Sequence, residues 1–166
     1  MKNIQLANST ILITGTAGFI GANLALELLK AQSPVHIIGI DNLNDYYDIS
    51  IKEYRLKEIE KTVIKHPEST WNFIKGSIAE KQIITDVFKK YKPDIVVNLA
   101  AQAGVRYSIS NPDAYIESNL IGVFCKHFLE KNAKYFWRML HLQIGESCKA
   151  SAGSYSASYI AIADHI

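Results

Sequence analysis

The sequence predicts an α/β fold, a parallel sheet with helices on both faces, on three observations. Short apolar runs alternate four times with segments of helical periodicity, the links between them are short, and a glycine-rich turn joins the first run to the first helix. That order favours parallel strands joined by right-handed crossovers, half of a doubly wound fold. With 48% hydrophobic and 20% charged residues, the 166-residue chain has the composition of a globular protein. It is long enough for one domain with a real core and too short for two comfortable ones.

Ser9-Thr10-Ile11-Leu12-Ile13-Thr14 is a β-rich apolar run ending at Gly15, as a buried parallel strand should be. Ile20, Leu24 and Leu28 then recur every four residues up to Lys30, an apolar helix stripe directly after the glycine turn. Pro34 breaks that pattern, and Val35 to Ile40 is a second strand closed by Asp41. After a polar, aromatic stretch, Leu56, Ile59 and Val63 mark a second helix, with Glu53 and Lys57 paired on its wet side. Trp71 to Lys75 is a third strand. Ile83, Ile84, Val87, Phe88 and Tyr91 line a third helix, with Ser77 and Glu80 spaced for a capping box at its start.

Lys92-Pro93-Asp94 is a turn and Ile95 to Leu99 a fourth strand. A small-residue loop follows, and Asn111-Pro112 supplies an N-cap and first helical residue for a fourth helix carried by Ile116, Leu120, Phe124 and Phe128. The stretch Lys134 to Gln143 is compatible with a further strand without a clear signal for one. Residues 1–130 thus read as one nucleotide-binding unit and 131–166 as a divergent segment, Ser-, Ala- and Tyr-rich from Ser151 to Ser158.

A formal charge of +2, from 18 basic and 16 acidic residues spread along the chain, leaves no basic face for nucleic acid or a membrane surface. Cys125 and Cys148 form no CxxC pair and have no histidine at ligand spacing, so they read as reduced, unligated thiols, and no metal site is expected. No apolar run reaches the length of a signal peptide core or a membrane span, which gives a cytoplasmic reading.

The chemistry begins at Gly15, Gly18 and Gly21. In a strand–turn–helix setting this spacing allows a tight turn, close approach of a pyrophosphate, and packing of helix on strand. The helix starting at Phe19 and Ile20 would then offer free amides and the positive end of its dipole to the phosphates. A glycine turn without a ligand is the plain alternative, and a Walker phosphate loop is disfavoured because no Gly-Lys-Ser/Thr follows. The discriminating partner is Asp41, with Asn42 beside it, at the end of the second strand and 20 residues beyond Gly21. A carboxylate there accepts both ribose hydroxyls of an adenosine and repels a 2′-phosphate, which selects NAD over NADP. An aspartate that merely caps a turn is the competing role. Together these features specify a Rossmann-type doubly wound sheet, incomplete here at four to five strands.

Three segments in order, Thr14 to Gly21, Asp41-Asn42-Leu43-Asn44-Asp45-Tyr46-Tyr47-Asp48, and Asn98 to Ser108, carry a resemblance to extended short-chain dehydrogenases, specifically to NAD-dependent UDP-glucuronate 4-epimerases. The similarity runs from about Ile11 to about Val123. It implies that Leu99, Ala100, Ala101 and Asn119 contact the cofactor or its neighbours, and that Arg106, Tyr107 and Ser108 face a UDP-sugar. An arginine suits a diphosphate or a uronate carboxylate through bidentate bonds; a solvated loop arginine is the alternative for Arg106. The sequence departs from the family at Ser77, where an aspartate near the adenine is usual.

The activity so implied is reversible hydride transfer at C4 of the sugar, with a tyrosine as base whose phenolate is stabilised by a lysine four residues later. No Tyr-x-x-x-Lys follows the fourth strand; Tyr155 to Tyr159 only imitates it, with tyrosine in the lysine position. Family members are about twice as long, which implies a half-sheet here with an exposed edge prone to self-association, and the abrupt loss of resemblance inside the fourth helix suggests a frameshift or premature stop between Gly122 and Asn132. Two functions follow: the NAD-binding portion of an epimerase, inactive as this chain, or a non-enzymatic nucleotide-binding fragment, with an NAD-sensing or interaction module as a third reading.

Overall fold

The computed structural model describes residues 6–30, 34–46 and 48–101, and the backbone of 135–138. Its elements alternate as the periodicities require: β1 (Thr10–Thr14), α1 (Phe19–Lys30), β2 (His36–Asp41), α2 (Ile49–Ile64), β3 (Thr70–Lys75), α3 (Lys81–Tyr91), β4 (Ile95–Asn98) and β5 (Tyr135–Arg138). The five strands form one sheet in the order β3-β2-β1-β4-β5, and each pairing is parallel. β5 lies beside β4 with Ile95 opposite Tyr135, so the stretch without a clear strand signal contains a fifth strand. The fourth helix expected after Asn111 lies outside the described residues.

Strand side chains alternate between the two faces, and each face has its own helices. Ile11, Ile13 and Ile37 point to the side covered by α1 and α2, where Ala22, Ala25, Leu29, Leu56 and Ile59 meet them. Leu12, Ile38, Ile40 and Val96 point to the other side, where Ile84, Val87 and Phe88 of α3 cover them. With helices on both faces, β1, β2 and β4 consist of almost uninterrupted apolar residues, whereas β3 at the sheet edge is more exposed.

Helix α1 buries Leu28 of the stripe its spacing suggests and centres its buried face beside that stripe. Its buried residues are Gly21, Ala22, Ala25, Leu28 and Leu29, whereas Ile20 and Leu24 are half-buried. Asn23, Glu27 and Lys30 recur at helical spacing and mark the exposed face of FIGANLALELLK, which leaves a broad apolar arc opposite them. Within that arc, close approach to the sheet favours the small side chains of Gly21, Ala22 and Ala25.

Helix α2 is capped by Asp48, whose carboxylate accepts the Ser50 N–H at 2.9 Å. The hydrogen bonds from Ser50, its side chain's first and its backbone's second, hold the Asp48 carboxyl below the ordinary carboxylate value. That cap therefore acts at pH values above the unfolded-state pKa and is lost as pH falls through the folded-state value. Glu53 and Lys57 are both exposed, and an ion pair on this helix runs from Lys61 to Glu58, at 2.7 Å. Ahead of α3 the expected box forms with a shift. The Ser77 N–H donates to Glu80 Oε1 at 3.1 Å, but Ser77 Oγ accepts from Ala79 at 3.2 Å, and Glu80 itself is the residue preceding the helix.

Leu29 is fully buried between α1 and the sheet, while Ile64 at the end of α2 is 77% exposed. Leu29→Ala is expected to lower unfolding free energy by about 2–5 kcal/mol. Ile64→Ala should change it by less than about 0.5 kcal/mol, both read by urea denaturation.

Candidate functional site

The sheet order reverses at β1, where β2 leaves to one side and β4 to the other. Loops diverging from neighbouring strand ends open a crevice at that point, the usual ligand position in such sheets. A cavity lies there, walled by the glycine turn after β1, the chain leaving β2, the turn after β3 and the loop after β4.

The turn after β1 is built on backbone that side chains would obstruct. Gly15 has φ +67°, the left-handed region that favours glycine, and its N–H donates to the Ile40 carbonyl at 2.8 Å. A Cβ on Gly15 would stand 2.8 Å from the Ala100 nitrogen, so the absent side chain lets the loop after β4 close against this turn. Gly21 serves a different end. Its Cβ would lie 2.4 Å from the Gly15 carbonyl oxygen, so α1 packs on the turn only because this position is glycine.

Asp41 closes β2 and uses both carboxylate oxygens. Oδ2 accepts the Ala17 N–H at 3.1 Å, and Oδ1 accepts the Leu43 N–H at 2.9 Å. Lys52 of α2 brings its Nζ to 3.7 Å from Oδ1, and both side chains are buried, at 8% and 7% exposure. The same ammonium donates to the Asn44 carbonyl at 3.0 Å and to its Oδ1 at 2.7 Å. Thus one carboxylate ties the glycine turn, the exit of β2 and the first turn of α2 together. Nearby, Arg55 donates to the Ala17 carbonyl at 3.2 Å and sits over the exposed Phe19 ring, 5.8 Å from its centre.

On the β4 side the fixed point is the Thr14 hydroxyl. It donates to Asn98 Oδ1 and accepts the N–H groups of Leu99 and Ala100, each at 3.1 Å. Leu99 N–H is also within 3.2 Å of the Thr14 carbonyl. The last residue of β1 therefore sets the path of the chain beyond β4.

Of the residues expected at a cofactor, the structure brings Gly15, Gly18, Asp41, Asn42, Leu99, Ala100 and Ala101 together around the cavity. Phe19, Ile20 and Gly21 are not in its wall: Phe19 is 71% exposed, Ile20 half-buried, and Gly21 buried against the turn. Asn119, Arg106, Tyr107 and Ser108 lie outside the described residues. Sequence reasoning missed Ile40, Asn44, Tyr46, Lys52, Gly76 and Ile78 as wall residues; Ser77, the departure from the family pattern, lines the cavity too. Lys52 did carry a signal, since it stands four residues before Leu56 and seven before Ile59 on the buried stripe of α2. Among the described residues, no group of three His, Cys, Asp or Glu could hold a metal ion, and no helix is long and apolar enough to cross a membrane.

Removing one partner of a buried ion pair leaves the other charge uncompensated. Lys52→Met should therefore destabilise the fold by about 3 kcal/mol, the low end for such pairs, since two N–H groups still hold Asp41. Lys61→Met, which removes a surface pair, should leave the unfolding midpoint unchanged, and urea denaturation of the two variants separates them.

Residues 12–139 match the family described as GDP-mannose 4,6 dehydratase. That match continues past Val123, where the motifs alone end the resemblance, and includes β5. Protein CapI of Staphylococcus aureus is 46% identical over 130 residues, 75% of this chain and 36% of that protein. A UDP-glucuronate 4-epimerase of Thermodesulfobacterium geofontis is 40% identical over 111 residues, 67% of this chain and 32% of that enzyme. The chain thus spans about a third of the length of these curated relatives. Among solved structures, the Bordetella bronchiseptica enzyme WbmF in complex with NAD+ superposes with a TM-score of 0.58 at 26% identity, covering 80% of this chain and 36% of that one. With the strand order, the glycine turn and the family match agreeing over most of its length, the chain belongs to the NAD-dependent epimerase/dehydratase family of Rossmann-type proteins.

Proposed function

We propose that the cavity at the β1–β4 switch binds NAD, and that the chain is the NAD-binding part of a sugar-nucleotide epimerase of the UDP-glucuronate 4-epimerase type. The observation that carries this reading is the convergence of Gly15, Gly18, Asp41 and Leu99 to Ala101 on one cavity at the strand-order reversal. The wall fits a dinucleotide. A Cβ at Gly18 would meet the Gly15 carbonyl oxygen at 3.0 Å and otherwise open space, so this glycine leaves room for a pyrophosphate beside the start of α1. Asp41, held by two backbone N–H groups, keeps lone pairs free to accept ribose hydroxyls. Leu99 to Ala101, positioned by Thr14, would flank the nicotinamide, and Asn119 would support the same region. Phe19, Ile20 and Gly21 would contribute the helix N-terminus, and Arg106, Tyr107 and Ser108 would face the UDP-sugar.

When bound, NAD would supply the hydride acceptor for transient oxidation at C4 of the sugar. The chain's own residues bind and orient; they do not complete the proton path. Residues 1–166 contain no Tyr-x-x-x-Lys, the pair by which such enzymes hold a tyrosine ready to act as general base near neutral pH. This part of the enzyme is therefore proposed to be inactive alone, a cytoplasmic nucleotide-binding unit that self-associates through a sheet edge, which light scattering would reveal. The relatives named UDP-glucuronate 4-epimerase favour a UDP-uronate as substrate of the whole enzyme.

Calorimetric titration of the purified chain with NAD should show saturable binding. Asp41→Ala should weaken it about 10- to 100-fold, the range for hydrogen bonds to a charged group. Incubation with UDP-glucuronate and NAD should yield no UDP-galacturonate. Absence of NAD binding would sink the cofactor reading; formation of UDP-galacturonate would sink the inactivity.

A further inference from the structure

Asp41 and Lys52 are the charged side chains among the described residues of the cavity wall. An aspartate alone at the end of β2 would repel a 2′-phosphate and accept ribose hydroxyls. Here that carboxylate is not alone, because the Lys52 ammonium stands 3.7 Å from its Oδ1. The ammonium is held in place independently of Asp41, by the carbonyl and side-chain oxygens of Asn44 at 3.0 and 2.7 Å. Of its three donors, two are engaged there. Its approach to Asp41 is longer than a hydrogen bond, so this contact is one of charge.

We infer that Asp41 and Lys52 form a charge-compensated cofactor selector in which Lys52 is a latent 2′-phosphate site, masked by Asp41. This deepens the NAD-binding reading proposed above and rests on it. A neutral side chain at position 41 would leave a buried ammonium without a counter-charge, a costly arrangement. A phosphate on the adenosine 2′-oxygen would arrive where the carboxylate had been and restore the pair. Asn44 would still fix the ammonium, so the cation would be preorganised rather than free to withdraw into solvent. The site is therefore one substitution away from preferring NADP, and Lys52 is the specificity-determining residue that makes it so.

The test uses the full chain and four forms: the wild type, Asp41→Ser, Asp41→Ser with Lys52→Met, and Lys52→Gln, each titrated calorimetrically with NAD and with NADP after circular dichroism has verified folding. Serine keeps an oxygen for one of the N–H groups that Asp41 serves. The wild type should prefer NAD, Asp41→Ser should prefer NADP by at least about tenfold, and the double variant should lose that gain. Equal NADP affinity in the double variant and in Asp41→Ser would overturn the inference, because the phosphate would then be held by something other than Lys52. Should Asp41→Ser fail to fold, Lys52→Gln decides the matter. A widening of the wild-type preference for NAD over NADP by about tenfold supports the selector, and an unchanged ratio overturns it. Wild type binding neither nucleotide removes the NAD reading and the selector with it. Wild type binding NAD without reversal in Asp41→Ser removes the selector alone.

Discussion

The carboxylate of Asp41 is the contact on which the organisation of the site depends. Three segments meet on it: the glycine turn, 24 residues earlier, through Ala17, the exit of β2 through Leu43, and the start of α2 through Lys52. A buried carboxylate is tolerated only when its desolvation is offset by donors and a counter-charge, and this one has both. The geometry of the turn and the placement of α2 are thereby coupled. A displacement of α2 would strip the ammonium from Asp41, and a displacement of the turn would strip the Ala17 N–H.

The opposite wall is fixed by a different device. The Thr14 hydroxyl binds Asn98, Leu99 and Ala100, so the loop after β4 takes its position from the end of β1 rather than from its own sequence. Gly15 permits this, since a side chain there would collide with Ala100. The cavity exists because backbone approaches backbone closely at its base while strand ends diverge above. A site built in this way relies on main-chain geometry and one buried pair.

Legibility in the sequence followed the strength of each physical signal. β1, β2 and β4 are buried on both faces and so appear as continuous apolar runs, which local reading detects well. β5 gave little signal, because its run of Tyr135, Phe136 and Trp137 is only three residues long before Arg138; its parallel pairing with β4 is a tertiary fact. The stripe expected on α1 lies at the side of its buried face: Leu28 is buried and Leu24 packs against the core, and only the distance of closest approach brings Ala25 deeper than Leu24. Glu53 and Lys57 had good spacing for a pair yet remain solvated, as surface ion pairs often do.

The residues of the site divide along the same line. The sequence by itself determined the glycine turn, the acid closing the second strand and the order of elements, because these depend on local conformation, spacing and periodicity. It also determined that no Tyr-x-x-x-Lys pair is present in residues 1–166. The packing role of the third glycine was also legible in its spacing; only the tertiary structure decided that Gly21 does not line the cavity, and that Lys52 turns inward to face Asp41. Those outcomes rest on which backbones approach within contact distance and on where a buried charge finds its partner. Neither is a property of neighbouring residues in the chain.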